Sequence, residues 1–144
     1  MMIQRMINYL PLDVVRYIIP YTYQIQNKPL LHDIQDYNKS KLVILDLYYE
    51  YWVVFLESIE HKEWLINDLF AYANNHQATM LGYTDDFYKL FSRNTRLTTK
   101  IKVDKYIEQL ERKEIDTQIN LFWGLLLPEE RNNIIEYFKR NHML

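Results

Sequence analysis

The sequence predicts an all-α fold: a compact single-domain bundle of about six to seven helices. Three observations lead there. Apolar residues recur at helical spacing along nearly the whole chain. Only 2 of the 144 residues are Gly and 4 are Pro, too few for the tight turns of a sandwich or barrel. The chain is also 49% hydrophobic and 15% aromatic, enough to bury a core rather than remain disordered.

The first helix is expected to start at Pro11, whose fixed φ and missing N–H suit a first helical position. Asp13 then meets the positive end of the helix dipole. Leu12, Val15 and Ile19 supply one apolar face, and Pro20 stops or kinks the helix. A second segment, "KPLLHDIQDYNK", again carries a proline, Pro29, at its start, with Leu30, Ile34 and Tyr37 on one side. Ser40 is expected to cap a third and longest helix over 41–59. Its run "LVILDLYYEYWVVFL" is apolar nearly all round, so it is expected to be the central element of the bundle. At 15 residues, with Asp46 and Glu50 inside it, that run is too short and too charged to span a bilayer, and no membrane role is expected.

"KEWLINDLFAYANN" places Leu65, Leu69 and Tyr72 on one face, and residues 76–83 read as a loop or short strand. Thr84 before Asp85 and Asp86 marks a helix start, with Phe87, Leu90 and Phe91 facing inward. Asp104 and Asp116 are expected to cap the next two helices. Pro128-Glu129-Glu130 opens the last one, with Ile134, Ile135 and Phe138 on its core side. Leu127 stands where a Ser, Thr or Asp cap belongs, so burial or a partner is expected to hold it. No linker or repeat divides residues 1–144, which read as one domain with a C-terminal helical part over 60–144.

Chemistry is sparse. The four histidines, His32, His61, His76 and His142, are scattered without metal-ligand spacing, and no cysteine is present. Gly82 and Gly124 cannot form a phosphate loop, and no nucleophile elbow exists. No enzyme activity, metal or cofactor is therefore expected. The missing cysteines and the lack of a secretory pattern at the N-terminus suit an intracellular, cytoplasmic protein. The net charge is −2, yet residues 89–105 set six cations against Asp104 alone. Lys89, Arg93, Arg96 and Lys100 would align on one face of a continuous helix; with Lys102 they are candidates for binding nucleic acid or an acidic partner.

The stretch "LPLDVVRYIIPY" resembles the opening of an F-box. Leu10, Pro11, Asp13, Val14, Val15, Ile18 and Ile19 match its first part, Leu30 and Leu31 stand where its second segment starts, and Trp52 lies near its end. The likeness covers residues 7–52; Pro20, however, falls where an F-box helix continues. "INLFWGLLLPEERNNIIEYF" is also similar in texture to small proteins of large DNA viruses, which would place the protein in host cytoplasm or in a virion. The F-box resemblance implies a protein–protein interaction role. Leu10, Pro11, Val14 and Ile18 would dock on a Skp-type ubiquitin-ligase adaptor while later helices hold a target. The alternative is a virion or nucleoprotein component, partnered by a viral assembly subunit or by nucleic acid, acting through residues 89–105.

Overall fold

The computed structural model describes residues 28–142. Among them are six α-helices and no strand: α1 (Lys28–Tyr48), α2 (His61–Ala73), α3 (Asp85–Phe91), α4 (Lys100–Glu111), α5 (Ile115–Leu125) and α6 (Pro128–His142). A π-helical turn, Tyr49–Phe55, continues α1 without a break, and a 3-10 turn, Thr79–Leu81, lies between α2 and α3. The fold is all-α as the sequence predicts.

The chain divides into two units, residues 1–35 and 36–144. In the first, the described residues are the opening turns of α1; Pro29 stands second in the helix, and Leu30, Leu31 and Ile34 are exposed.

The core of the second unit is built chiefly where α2 packs on α5, with the π turn and α3 also on α2 and α4 against α3. Leu65 and Leu69 of α2 meet a layer made from Phe87 and Phe91 of α3, Val103, Ile107 and Leu110 of α4, and Ile119, Phe122 and Trp123 of α5. Aromatic rings interlock at its centre. The Phe91 ring lies 4.8 Å from that of Phe87 and 5.4 Å edge-on from Phe122, which itself meets Phe70 edge-on at 5.3 Å.

Residues 28–48 form one helix rather than two joined at Ser40. Nothing between Pro29 and Ser40 breaks helical backbone, and a serine inside a helix can turn its hydroxyl back on the preceding turn. Ser40 Oγ donates to the Asp36 carbonyl at 2.6 Å and accepts from Trp123 Nε1 at 2.9 Å. The stretch 41–59 is not the wholly buried centre its composition suggests. α1 buries only Ser40, Ile44 and Tyr48, whereas Leu42, Val43, Tyr49, Val54, Phe55 and Leu56 are exposed. The central position belongs to α2 and α5.

Two of the expected caps also move. Thr99 caps α4, accepting from the Lys102 N–H, so Asp104 falls within the helix and accepts the Tyr88 hydroxyl at 2.9 Å. Asp116 sits in the first turn of α5 and pairs with Lys62 at 2.6 Å. Thr84 does cap α3, its hydroxyl accepting from Phe87 N–H. The loop before it is organised by Asn74, which is fully buried. Its amide donates to the Gln77 and Gly82 carbonyls, both at 3.1 Å, and its oxygen accepts from Thr84 N–H at 2.7 Å.

Arg131 joins three helices. Its side chain is 0% exposed; Nε donates to the Trp123 carbonyl at 3.0 Å, and Nη1 to Asp36 Oδ2 at 3.0 Å. Arg131→Met removes the charged donor from Asp36 and the Trp123 carbonyl and should destabilise the protein by about 3 kcal/mol. Lys62→Ala removes only an exposed pair and should cost about 0.5 kcal/mol or less. Urea denaturation of both variants checks this; equal losses would remove the buried network from the account.

Candidate functional site

Leu10, Pro11, Val14 and Ile18 lie outside the described residues. The basic candidates lie within them, and the single-helix alignment fails. α3 ends at Phe91 and α4 starts at Lys100, because Asn94, Thr95, Thr98 and Thr99 favour turns and caps over a helix interior. The turn nevertheless gathers Lys89, Arg93 and Lys100 around one open cavity with Ser92, Thr98 and Thr99.

Acids on the protein already answer two of those three charges. Lys100 lies 3.4 Å from Asp85 and over the Tyr88 ring. Arg93 grips Glu130 with both Nη atoms, at 2.5 and 3.1 Å, and also donates to the Leu125 carbonyl. Lys102 Nζ turns to Thr98, and Arg96 is exposed beyond the turn.

The Arg93–Glu130 pair resolves the missing cap of α6. Leu127 is not buried, being 52% exposed. Its N–H donates to Glu130 Oε1 at 2.8 Å, which is the glutamate half of a capping box, and Arg93 holds that glutamate in place.

A second region stands out at the π turn. The wider backbone turns Tyr51 and Trp52 partly inward and leaves Val54, Phe55 and Leu56 outside, and the turn closes at Glu57, a non-glycine residue at φ 57°. Trp52 stacks on Trp64 with centroids 4.3 Å apart and planes 3° from parallel. Around that stack Phe55 is 74% and Ile59 89% exposed. Trp52 Nε1 and His61 Nδ1 are buried here with no hydrogen-bond partner among the described residues. Burial, then the charge of Lys62, holds His61 below its ordinary value against the opposing pull of Asp116. Beside the stack, Leu47, Glu50, Tyr51, Phe55, Phe138 and His142 line a mostly apolar groove of about 580 Å³.

The groove shares Phe138, Asn141 and His142 with a smaller cavity of about 360 Å³. Tyr48, Asp68, Tyr72, His76, Ile134 and Tyr137 complete its lining. Tyr48 is buried against Phe138, ring to ring at 4.4 Å, and its hydroxyl donates to Asp68 Oδ2 at 2.6 Å. His76 stacks on Tyr137 at 5.2 Å, and His142 lies 4.5 Å from Phe138. The loss of water around Asp68 raises its carboxyl above the ordinary range, outweighing the Tyr48 hydrogen bond and the nearby His142 and His76. Burial and the Asp68 charge push the Tyr48 hydroxyl far up, so it stays a proton donor.

The sequence reading passed over this cluster because its histidines are distant from one another in the chain. One signal was available. Asp68 falls at i+3 within Leu65, Leu69 and Tyr72, an acid on an apolar stripe. Among the described residues no group of three or more His, Asp or Glu stands ready to hold a metal ion, and no helix is long and apolar enough to cross a membrane.

The Glu130 cap has a pH signature. Burial alone would raise this carboxyl, but the hydrogen bonds from Arg93 and Leu127, with the charges of Arg93 and Arg131, hold it below its ordinary 4.5. A carboxyl depressed in the folded state stabilises the fold above its unfolded value and loses that contribution as pH falls through the folded one. Glu130→Gln should therefore melt earlier at pH 7, by about 1 kcal/mol, and lose less than the parent on acidification below 4.5. Thermal melts across that window test both effects; parallel curves for the two proteins would count against the cap.

Compared with protein-family models, curated proteins and solved structures, the chain matches none.

Proposed function

We propose that the protein is a non-enzymatic protein–protein interaction module of F-box-like character. In this reading Leu10, Pro11, Val14 and Ile18 dock on a Skp-type adaptor, while the second unit offers the π-turn surface to a further protein. The setting would be the cytoplasm of a host cell, in keeping with the likeness to proteins of large DNA viruses.

The observation that carries the reading is the exposed apolar surface of Val54, Phe55, Leu56 and Ile59 beside the Trp52–Trp64 stack. Large apolar side chains held open to water on an ordered element cost free energy that only a covering surface returns. Covering a Phe or an Ile fully is worth about 1.5–3 kcal/mol, and a few such anchors dominate most interfaces. Aromatic residues of this kind are enriched at the centres of protein interfaces. The basic candidates make a weaker case, since Arg93 and Lys100 already have acidic partners.

Affinity capture from host-cell lysate at low and high salt, with nuclease-treated lysate alongside, tests the proposal. A Skp-type adaptor should be recovered at both salts and lost with Leu10→Ala or Ile18→Asp. A second partner should be lost with Phe55→Ala or Ile59→Asp while the adaptor stays. Partners that vanish with nuclease or salt, and that depend on Lys89, Arg96 and Lys102, would overturn the reading in favour of nucleic acid. Arg93 is a poor probe there, because reversing it would disturb the α6 cap.

A further inference from the structure

The cavity shared by α1, α2 and α6 holds a combination that core packing uses only in part: Tyr48 and Phe138 stack on each other in the core, while Asp68, Tyr72, His76 and Tyr137 line open space. Its lining includes four six-membered aromatic rings (Tyr48, Tyr72, Tyr137 and Phe138), with His76 and His142 beside them and one carboxylate, Asp68. The Asp68 carboxylate has no ion-pair partner among the described residues. Its hydrogen bond is the one it accepts from Tyr48, at 2.6 Å. Core aromatics would ordinarily close over such a space, yet Tyr137 remains 49% exposed and the cavity stays open to solvent.

His76 adds a second observation. It stands at φ 60°, directly after Asn75 at φ 56°, a left-handed pair that the chain builds without glycine. The His76 N–H donates to the Ala71 carbonyl at 2.7 Å, which fixes the reversal at the end of α2. The imidazole is thereby set against Tyr137 at the edge of the cavity.

We propose that this cavity binds a quaternary or methylated ammonium group, with Tyr72 and Tyr137 beside the methyl groups and the Asp68 carboxylate facing the charge. Ring faces attract cations through their quadrupole, most strongly where water has been displaced. Tyr48 holds the carboxylate in position and remains a donor to it throughout. The same chemistry occurs on a free choline-like molecule and on a methylated lysine side chain of a protein.

Isothermal titration of the full chain is the test, with choline, its uncharged carbon isostere 3,3-dimethylbutanol, and a short peptide carrying trimethyllysine or unmodified lysine. Choline should bind and the isostere should be weaker by roughly tenfold. Asp68→Asn and Tyr137→Ala should each weaken choline by a similar factor. Tyr137 is half-exposed, so its variant keeps the test decisive if Asp68→Asn fails to fold. Trimethyllysine peptide tighter than choline would identify a protein tail as the source, and equal affinities a free ammonium compound. No choline or trimethyllysine binding, equal binding of choline and its isostere, or undiminished binding by both variants would overturn the proposal.

Discussion

Arg131 is the constraint on which much of the second unit depends. A guanidinium with no exposed surface is costly unless its donors find acceptors, and here they reach across two other helices. Asp36 of α1 supplies the charge and the Trp123 carbonyl at the end of α5 supplies a neutral oxygen. Trp123 in turn donates its indole N–H to Ser40, one turn along α1 from Asp36. The three helices are thus fixed in register by a polar chain at the edge of an apolar core. Apolar packing alone tolerates sliding and repacking; hydrogen bonds with set donors and acceptors tolerate much less.

This network also shows how far the sequence could be read. Helix positions and most apolar faces follow from local rules: Pro29 and Pro128 open helices, Thr84 caps one, and Ile119, Phe122, Trp123 and Leu126 lie inward as their spacing requires. What local rules miss is a polar residue on an apolar stripe. Ser40 lies in line with Tyr37, Ile44 and Tyr48; Asp68 with Leu65, Leu69 and Tyr72; Arg131 with Ile134, Ile135 and Phe138. Each is explained by a partner far along the chain, Trp123 for Ser40 and Asp36 for Arg131 across separations of 83 and 95 residues. Reading Ser40 as a cap was reasonable locally and wrong because its partner is tertiary. Asp68 was passed over for the same reason, and with it the cavity.

The expected basic stripe failed for a different reason. Charge spacing has meaning only if the backbone is helical throughout, and two threonines at 98 and 99 stop that; Thr99 becomes the cap of α4. Once the helix is broken, Arg93 is free to turn toward α6. There it completes a cap that the sequence at Leu127 lacks. One guanidinium therefore changes from a candidate phosphate ligand to part of a helix start, which also weakens the nucleic-acid alternative.

Among the described residues, left-handed backbone without glycine falls at two chain reversals. Glu57, Asn75 and His76 all take the left-handed conformation without being glycine, each at a cost of order 1 kcal/mol. Glu57 closes the π turn beside exposed Phe55 and Ile59; Asn75 and His76 end α2 at the edge of the Asp68 cavity. Near the π turn Trp52 Nε1 and His61 Nδ1 are buried without a partner among the described residues. Asn74, directly before Asn75, is by contrast satisfied several times over. A sequence under selection for stability alone has cheap remedies for such positions, glycine at the left-handed sites among them. These positions border exposed Phe55 and Ile59 at one end of α2 and the Asp68 cavity at the other.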